Sequence, residues 1–329
     1  MAGQRIFIAG ATGVLGRRLA GLLVDRGYHV TGLTRTPAKR TLLERLGASA
    51  VVADALDATA LGKAISEAEP EVVVHQMTAL SDLGSMRNFD REFAGNARLR
   101  GTGTDILLSA SRAAGVRRFV AQCWAGFLFA GDPRRRVAET EPLASPPPKP
   151  FRNALAADRH LEAAVTGATW TDGIVLRYGG FYGPGTTISV EPPGVQSEAV
   201  RKRQFPIVGD ATGYTSFIHI DDAASATVAA IERGRPGIYH VTDDEPAHAS
   251  EWLPVLAAAL GAKPPMRVPV WLARILAGPA VVEMMTRASG ASNEKAKQEL
   301  GWQPAYASWR DGFVHGLGSD ERRARTAAA

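Results

Sequence analysis

An apolar run that breaks into spaced glycines constrains this chain more than any other feature: "RIFIAGATGVLGRRLAGLL", starting at Arg5. Residues 6–9 read as a buried strand. Gly10 permits a tight turn, Gly13 lets the backbone approach a pyrophosphate, and Gly16 allows the next helix to pack close on the strand. Leu15, Leu19, Leu22 and Leu23 then share one helical face, and Gly27 stops the helix. Such a helix start aims free N–H groups at an anion. Gly10, Thr12, Gly13, Val14, Leu15 and Gly16 are therefore candidate cofactor residues. Glycine spacing alone suits any tight turn; the strand before it and the helix after it favour a dinucleotide.

The alternation continues. "YHVTGLTR", "ASAVVAD", "EVVVHQM" and "RRFVAQC" read as further strands separated by helical segments, among them one running from Pro37 to Gly47. Continuous valine runs between helices predict a parallel sheet covered on both faces. The fold class expected is α/β: a Rossmann-type doubly wound parallel sheet with a smaller C-terminal substrate-binding lobe. "PLASPPPKP" (142–150) reads as a loop rather than a domain linker. "VPVWLARILAGPAVVEMM" contains Arg274, Pro279 and Glu283, so it reads as a helix broken at Gly278-Pro279 and not as a membrane span.

The end of the second strand reports on the dinucleotide. An NAD site places an acid there to accept both ribose hydroxyls. Here the strand ends in Thr34 and Arg35, with Lys39 close behind. A hydroxyl followed by a guanidinium suits a 2′-phosphate, so NADP(H) is the cofactor expected, although Arg35 and Lys39 also read as ordinary surface cations.

Composition excludes little else. The net charge is +5, and the basic residues are scattered without aromatic interleaving, so neither a nucleic acid nor a membrane is an expected partner. A single cysteine, Cys123, rules out an internal disulfide and fits a reducing, cytoplasmic setting. No metal-ligand spacing occurs. Asp221 and Asp222 read as a helix cap, and His75 reads as a packed residue. The partners expected are a small-molecule substrate and, as an open option, a second copy of the chain. Residues 319–329 read as a disordered tail.

Six ordered segments resemble an extended short-chain dehydrogenase/reductase, of the group called NAD-dependent epimerase/dehydratases. They are "GATGVLG", "VVAD" (51–54), "VVVHQMTA", "GVRRFVAQCWAG", "LRYGGFYGPG" (176–185), and the pair "SFIHIDDAASATVAAIE" and "SNEKAKQELGWQP". The resemblance implies a dinucleotide-binding part over residues 1–183 and a substrate lobe over 184–318, with crossings back to the sheet. It implies that Asp54 and Ala55 lie at the adenine, and that Met77, Gln122, Tyr178 and Phe181 lie along the cofactor. His219 would be structural.

That family's reaction uses a Tyr as general acid/base and a Lys four residues later. None of the six tyrosines here has a lysine four residues on. Depending on register, the pair becomes Phe151 and Leu155, or Ala154 and Asp158. The usual Ser/Thr segment reads Gln122-Cys123-Trp124. A carbonyl reduced here needs another proton source; Tyr178, Gln122 and Tyr182 are the weak candidates, beside water or an acidic group of the substrate. Tyr178 reads more readily as a packed aromatic, and Gln122 can donate a hydrogen bond without serving as an acid.

The reading that results is an NADP(H)-dependent carbonyl (keto) reductase acting on an apolar, aromatic or polyketide-like molecule. Met77, Trp124, Phe127, Phe129, Phe181 and Tyr214 are candidate pocket residues that serve equally well as core. Two alternatives stay open. One is a sugar-nucleotide epimerase/dehydratase, against which Thr215 stands where such enzymes carry an arginine. The other is a non-catalytic NADP(H)-sensing regulator.

Overall fold

A computed structural model of the chain describes residues 3–80, 86–129, 132 and 135–318. The tail expected to be disordered lies outside these residues. Seven parallel strands form the central sheet: β1 (Arg5–Ala9), β2 (His29–Thr34), β3 (Ser49–Val52), β4 (Val72–His75), β5 (Arg118–Trp124), β6 (Asp172–Tyr178) and β7 (Gly237–Val241). Their order is β7-β6-β5-β4-β1-β2-β3. The order reverses between β1 and β4, where Ile6 is registered with both Val30 and Val72. A crevice opens at the carboxyl ends of strands at such a switch point.

Both sheet faces are dressed by amphipathic helices, which is why these strands are apolar throughout. On one face, α1 (Val14–Asp25) packs against α6 (Ile220–Arg233), burying Leu15, Leu19 and Leu23 against Ile6, Ile8 and Val74. On the other face lie α2 (Ala58–Ala68), α4 (Thr104–Ala113) and α5 (Arg152–Thr166), over Phe7, Val73 and Phe119. Asp57 caps α2 by accepting from the Thr59 and Ala60 N–H groups at 3.0 Å. Ahead of α4 the chain makes two short helices, α3 (Phe89–Glu92) and a second over Ala94–Arg98, and a π-helical turn over Leu99–Gly103.

The smaller lobe has its own core around Tyr182, Phe217, Trp252, Trp309 and Phe313. It carries α7 (Val270–Leu276) and α8 (Pro279–Arg287), separated at the expected Gly278-Pro279 break. The division is not clean in sequence, because α6 and β7 return to the sheet. Arg136–Val137 also pairs in parallel with Gly290–Ala291, stitching a loop of the larger part to the smaller lobe.

Two details differ from the sequence reading. The Pro37–Gly47 segment is a 3₁₀ turn at Pro37–Lys39 followed by a helix of only Arg40–Glu44. The helix α6 is capped by His219, whose Nδ1 accepts from the Asp221 N–H at 3.2 Å. Asp222 is not the cap: its carboxylate accepts from the Ala305 and Tyr306 N–H groups at 2.7 and 3.0 Å, tying down the chain 83 residues on.

Candidate functional site

The glycine turn sits at the switch point. Gly10 has φ +93°, and a Cβ there would lie 2.5 Å from the Gln76 carbonyl oxygen at the end of β4. A Cβ on Gly16 would lie 2.3 Å from the Gly10 carbonyl oxygen. Side chains are thus excluded at both positions by backbone, and the loop lies flat across β1 and β4. Gly13 is the N-cap of α1 and supplies no side-chain cap, so the first N–H groups of the helix remain available to an anion. This cradle fits a dinucleotide. Thr12 is half-buried beside it.

At the end of β2, Thr34 is buried, and its Oγ1 accepts from the Thr36 N–H at 3.2 Å. Arg35 and Lys39 are exposed, and neither has an ion-pair partner within 4 Å among the described residues. Asp54 is exposed, with Oδ1 accepting from the Leu56 N–H at 3.0 Å, and Ala55 is buried behind it. Met77 and Gln122 are buried together, the Gln122 amide donating to the Met77 carbonyl at 3.4 Å.

The three weak proton-donor candidates are all buried. Tyr178 is buried, its hydroxyl lying 2.6 Å from Thr227 Oγ1 and accepting from Gln76 Nε2 at 3.3 Å. Burial pushes it up to about 12. Phe181 packs on its ring at 5.4 Å. Tyr182 points into the core of the smaller lobe, close enough to Gly312 that a Cβ there would meet its hydroxyl at 2.1 Å. Burial, then Asp243, raises it further. Gln122 has no acidic proton.

Of the pocket candidates, Trp124, Phe127 and Phe129 gather beyond the end of β5, joined by Phe89, Phe93 and Phe151, which the sequence reading had not grouped with them. Phe89 stacks on Phe93 at 3.7 Å and meets Phe151 edge-on at 4.9 Å; Trp124 meets Phe127 at 4.7 Å. Phe127 and Phe151 are wholly buried, so they serve as core. Tyr214 belongs to the smaller lobe, its ring tilted by 38° against His248 at 3.9 Å.

The helix expected to carry Tyr and Lys is α5. All four positions that replace them, Phe151, Ala154, Leu155 and Asp158, are buried. Asp158 is closed onto Arg100, whose Nη1 donates to its Oδ1. One turn further along α5, Glu162 takes a two-point contact from Arg177 of β6, at 2.6 and 2.8 Å. Arg177 also reaches His240 Nε2 at 3.2 Å, and His240 Nδ1 donates to the Ser292 carbonyl at the same distance. Arg100 was not legible as a site residue. The π-helical turn rotates it inward, and nothing in the sequence pairs it with a residue 58 positions away. Cys123 lies against this network. Burial, then Asp158 and Glu162, raise its thiol well above the ordinary range, so it is not a thiolate nucleophile. His75 bonds Thr104 at 3.1 Å and is packed, as expected. Arg159, also on α5, is half-buried and donates to the Leu143 carbonyl at 3.3 Å. No group of metal-ligating side chains occurs among the described residues, and none of their helices is long and apolar enough to cross a membrane.

Comparison with known proteins agrees with this architecture. Residues 6–242 match the NAD dependent epimerase/dehydratase family. A 3-diazoavenalumate denitrifying reductase from a Streptomyces species is 44% identical over 313 residues, covering 94% of this chain and 99% of that protein. A 4-hydroxy-2-methyl-3-oxo-4-farnesyl-3,4-dihydroquinoline-1-oxide ketoreductase from Stigmatella aurantiaca is 27% identical, covering 91% of this chain and 92% of its own. Among solved structures, the UDP-glucose 4-epimerase of Thermotoga maritima shares the fold with a TM-score of 0.75 at 21% identity, over 98% of this chain and 99% of its own. The chain belongs to the NAD-dependent epimerase/dehydratase family. With reductases among its relatives, it is an oxidoreductase of that family.

The buried pair has a measurable consequence. Asp158→Ala leaves the Arg100 charge buried without an answer, which costs about 3–5 kcal/mol. We expect its melting temperature to fall by on the order of 10 °C. Replacing both partners by apolar residues (Arg100→Met with Asp158→Leu) recovers most of that loss and leaves cofactor affinity, read by calorimetry, within about twofold of wild type. Loss of cofactor affinity in a stably folded double variant would show that the pair touches the cofactor.

A second consequence concerns acid. Burial, reinforced by Arg100, lowers His75 to about 4, and burial, reinforced by Arg177, lowers His240 to about 3, against an ordinary 6.5. Below about pH 6.5 the unfolded chain takes up protons that the folded chain refuses. The stability these residues contribute is therefore full above that pH and is lost as pH falls toward 4 and below. Thermal melts should show a fall on the order of 1 kcal/mol per pH unit per histidine, and a folded His75→Gln variant should show a shallower slope.

Proposed function

We propose that this protein is an NADP(H)-dependent reductase whose substrate needs a hydride but no proton from the enzyme, and that this substrate is an arene bearing a diazo group. The observation that carries the reading is the state of α5. Where the family's resemblance calls for a titrating Tyr-Lys pair, this chain has buried apolar side chains and a closed Arg100–Asp158 pair.

Gly10, Gly13, Gly16 and the first turn of α1 would hold the pyrophosphate of the cofactor, and Thr34, Arg35 and Lys39 its 2′-phosphate. When bound, the reduced nicotinamide supplies a hydride. A ketone that gains a hydride becomes an alkoxide and must be protonated. An arenediazonium that gains a hydride releases dinitrogen, and the hydride remains as the new ring C–H. If the ring carries a phenolate, water protonates it after release. Reduction of this kind makes the missing acid/base pair dispensable. The relative at 44% identity supports the reading, because its name describes denitrifying reduction of a diazo compound that is a carboxylate.

Ketone reduction is the second reading, favoured by the ketoreductase at 27% identity. It requires water or an acidic group of the substrate to furnish the proton.

Two measurements test the proposal. Wild type should bind NADPH more tightly than NADH, and Arg35→Ala should weaken NADPH by about tenfold or more while leaving NADH nearly unchanged, as loss of a charge-assisted contact worth roughly 1.5–3 kcal/mol requires. Equal wild-type affinity for both cofactors would remove the NADP(H) assignment. For the reaction, NADPH oxidation with a diazophenol should release one dinitrogen per NADPH. With the deuterated cofactor, the label should appear on the ring carbon. Oxidation with polycyclic ketones alone would favour the second reading, and micromolar binding of UDP, dTDP or GDP by calorimetry would favour the epimerase.

A further inference from the structure

Two arginines follow the last glycine of the turn, Arg17 and Arg18, and the fold uses them differently. Arg18 is fully engaged. Its Nε donates to Asp221 Oδ1 at the start of α6 at 2.7 Å, its Nη2 to the Pro184 carbonyl at 2.5 Å and its Nη1 to the Val14 carbonyl at 3.2 Å. These contacts pin residues 183–186 over the first turn of α1. Arg17 is half-buried and has no ion-pair partner within 4 Å among the described residues. Its Nε is buried and donates to none of them.

Helix geometry and contacts agree on where the Arg17 side chain lies. The Arg17 N–H donates to the Gly13 carbonyl at 3.0 Å, so Arg17 stands one turn beyond the N-cap on the same face. A helical side chain leans back over the turn that precedes its own Cα. The guanidinium therefore lies over Gly13 and Val14. From the other side comes Gly185, at φ +80°, where a Cβ would lie 3.8 Å from Arg17 Nη2 and 3.8 Å from Val14 Cγ1. The start of α1 and residues 183–186 thus flank the guanidinium at the rim of the glycine cradle.

That cradle is built of backbone alone. A helix terminus presents only about half a positive charge, whereas a pyrophosphate carries about two negative ones. A guanidinium adds a full charge and paired N–H donors suited to phosphate oxygens. We infer that Arg17 binds the pyrophosphate of the dinucleotide, answering from a second side the charge that the glycine turn meets from below. Arg18 holds the opposing wall in place. The inference rests on the dinucleotide part of the reading above and adds to it a residue that does not distinguish NADPH from NADH, because both carry the pyrophosphate.

The test is calorimetry with NADPH and with NADH on wild type, Arg17→Gln and Arg17→Met, with melting temperatures measured alongside. The methionine keeps the packing of the aliphatic stem. Both variants should bind both nucleotides about tenfold or more weakly than wild type, by the same factor for each. NADH, which has no 2′-phosphate, then reports the charge directly. Its affinity for wild type should fall as sodium chloride is raised from about 0.03 M to about 0.3 M, and should fall less steeply in the variants, which have one cation fewer to screen. Unchanged affinity in either variant overturns the inference. So does a loss confined to NADPH, which would place Arg17 at the 2′-phosphate, and so does a common loss whose salt dependence matches wild type, which would make the role one of packing. The outcomes separate the two readings. Equal wild-type affinity for NADPH and NADH, with the common loss in both variants, sinks the NADP(H) assignment and leaves Arg17 standing. A wild-type preference for NADPH with no loss in either variant sinks Arg17 alone.

Discussion

Asp158 has no contact with solvent, and its carboxyl must be answered from within the protein. Arg100 supplies that answer from a π-helical turn, while Glu162, on the same side of α5, is answered by Arg177 from β6. These two ion pairs fix the helix against the strand and the neighbouring turn at the level where the sheet ends. Removing one member of such a pair is far more costly than never having built it. The arrangement therefore acts as a rigid partition that holds α5 in one place, while burial around it, more than its charges, holds His75 and His240 below and the Cys123 thiol above their ordinary ranges.

The partition also occupies the positions where the family resemblance calls for a Tyr-Lys pair. A family fold positions a dinucleotide by backbone, through glycines and a helix terminus, and those features survive here because the local packing demands them. The side chains that move protons are not needed to hold the fold, and their positions are free to be filled by core. Phe151 and Leu155 are among the most thoroughly buried side chains of the aromatic cluster and pack there as core.

The fold was legible because its signals are local. Val72–His75 and Arg118–Trp124 read as strands from their own sequence, and Gly10 and Gly16 announced the turn whose contacts bear them out. The break at Gly278-Pro279 was equally plain. The site was legible only where it is made of backbone. Arg100 with Asp158, and Arg177 with Glu162, join residues that lie far apart in sequence, and a charged residue at the inward position of a helix looks like any other until its partner is seen. Asp222 was misread for a related reason. An acid at the start of a helix is usually a cap, but here it serves the backbone of residues 305–306, which no local pattern connects to it.

The pairing of Arg136–Val137 with Gly290–Ala291 has a mechanical meaning. It is continued by Ser292, whose N–H donates to the Val137 carbonyl at 2.8 Å, and by Glu139, which accepts from the His240 N–H at the same distance. The smaller lobe and the sheet are thus sewn together on the side away from the glycine turn, and the chain passes between them several times. A seam of this kind resists a clamshell swing, because opening would shear backbone hydrogen bonds rather than bend a linker. Any opening between the two parts would then be confined to the unsewn edge, where no such backbone pairing has to be sheared.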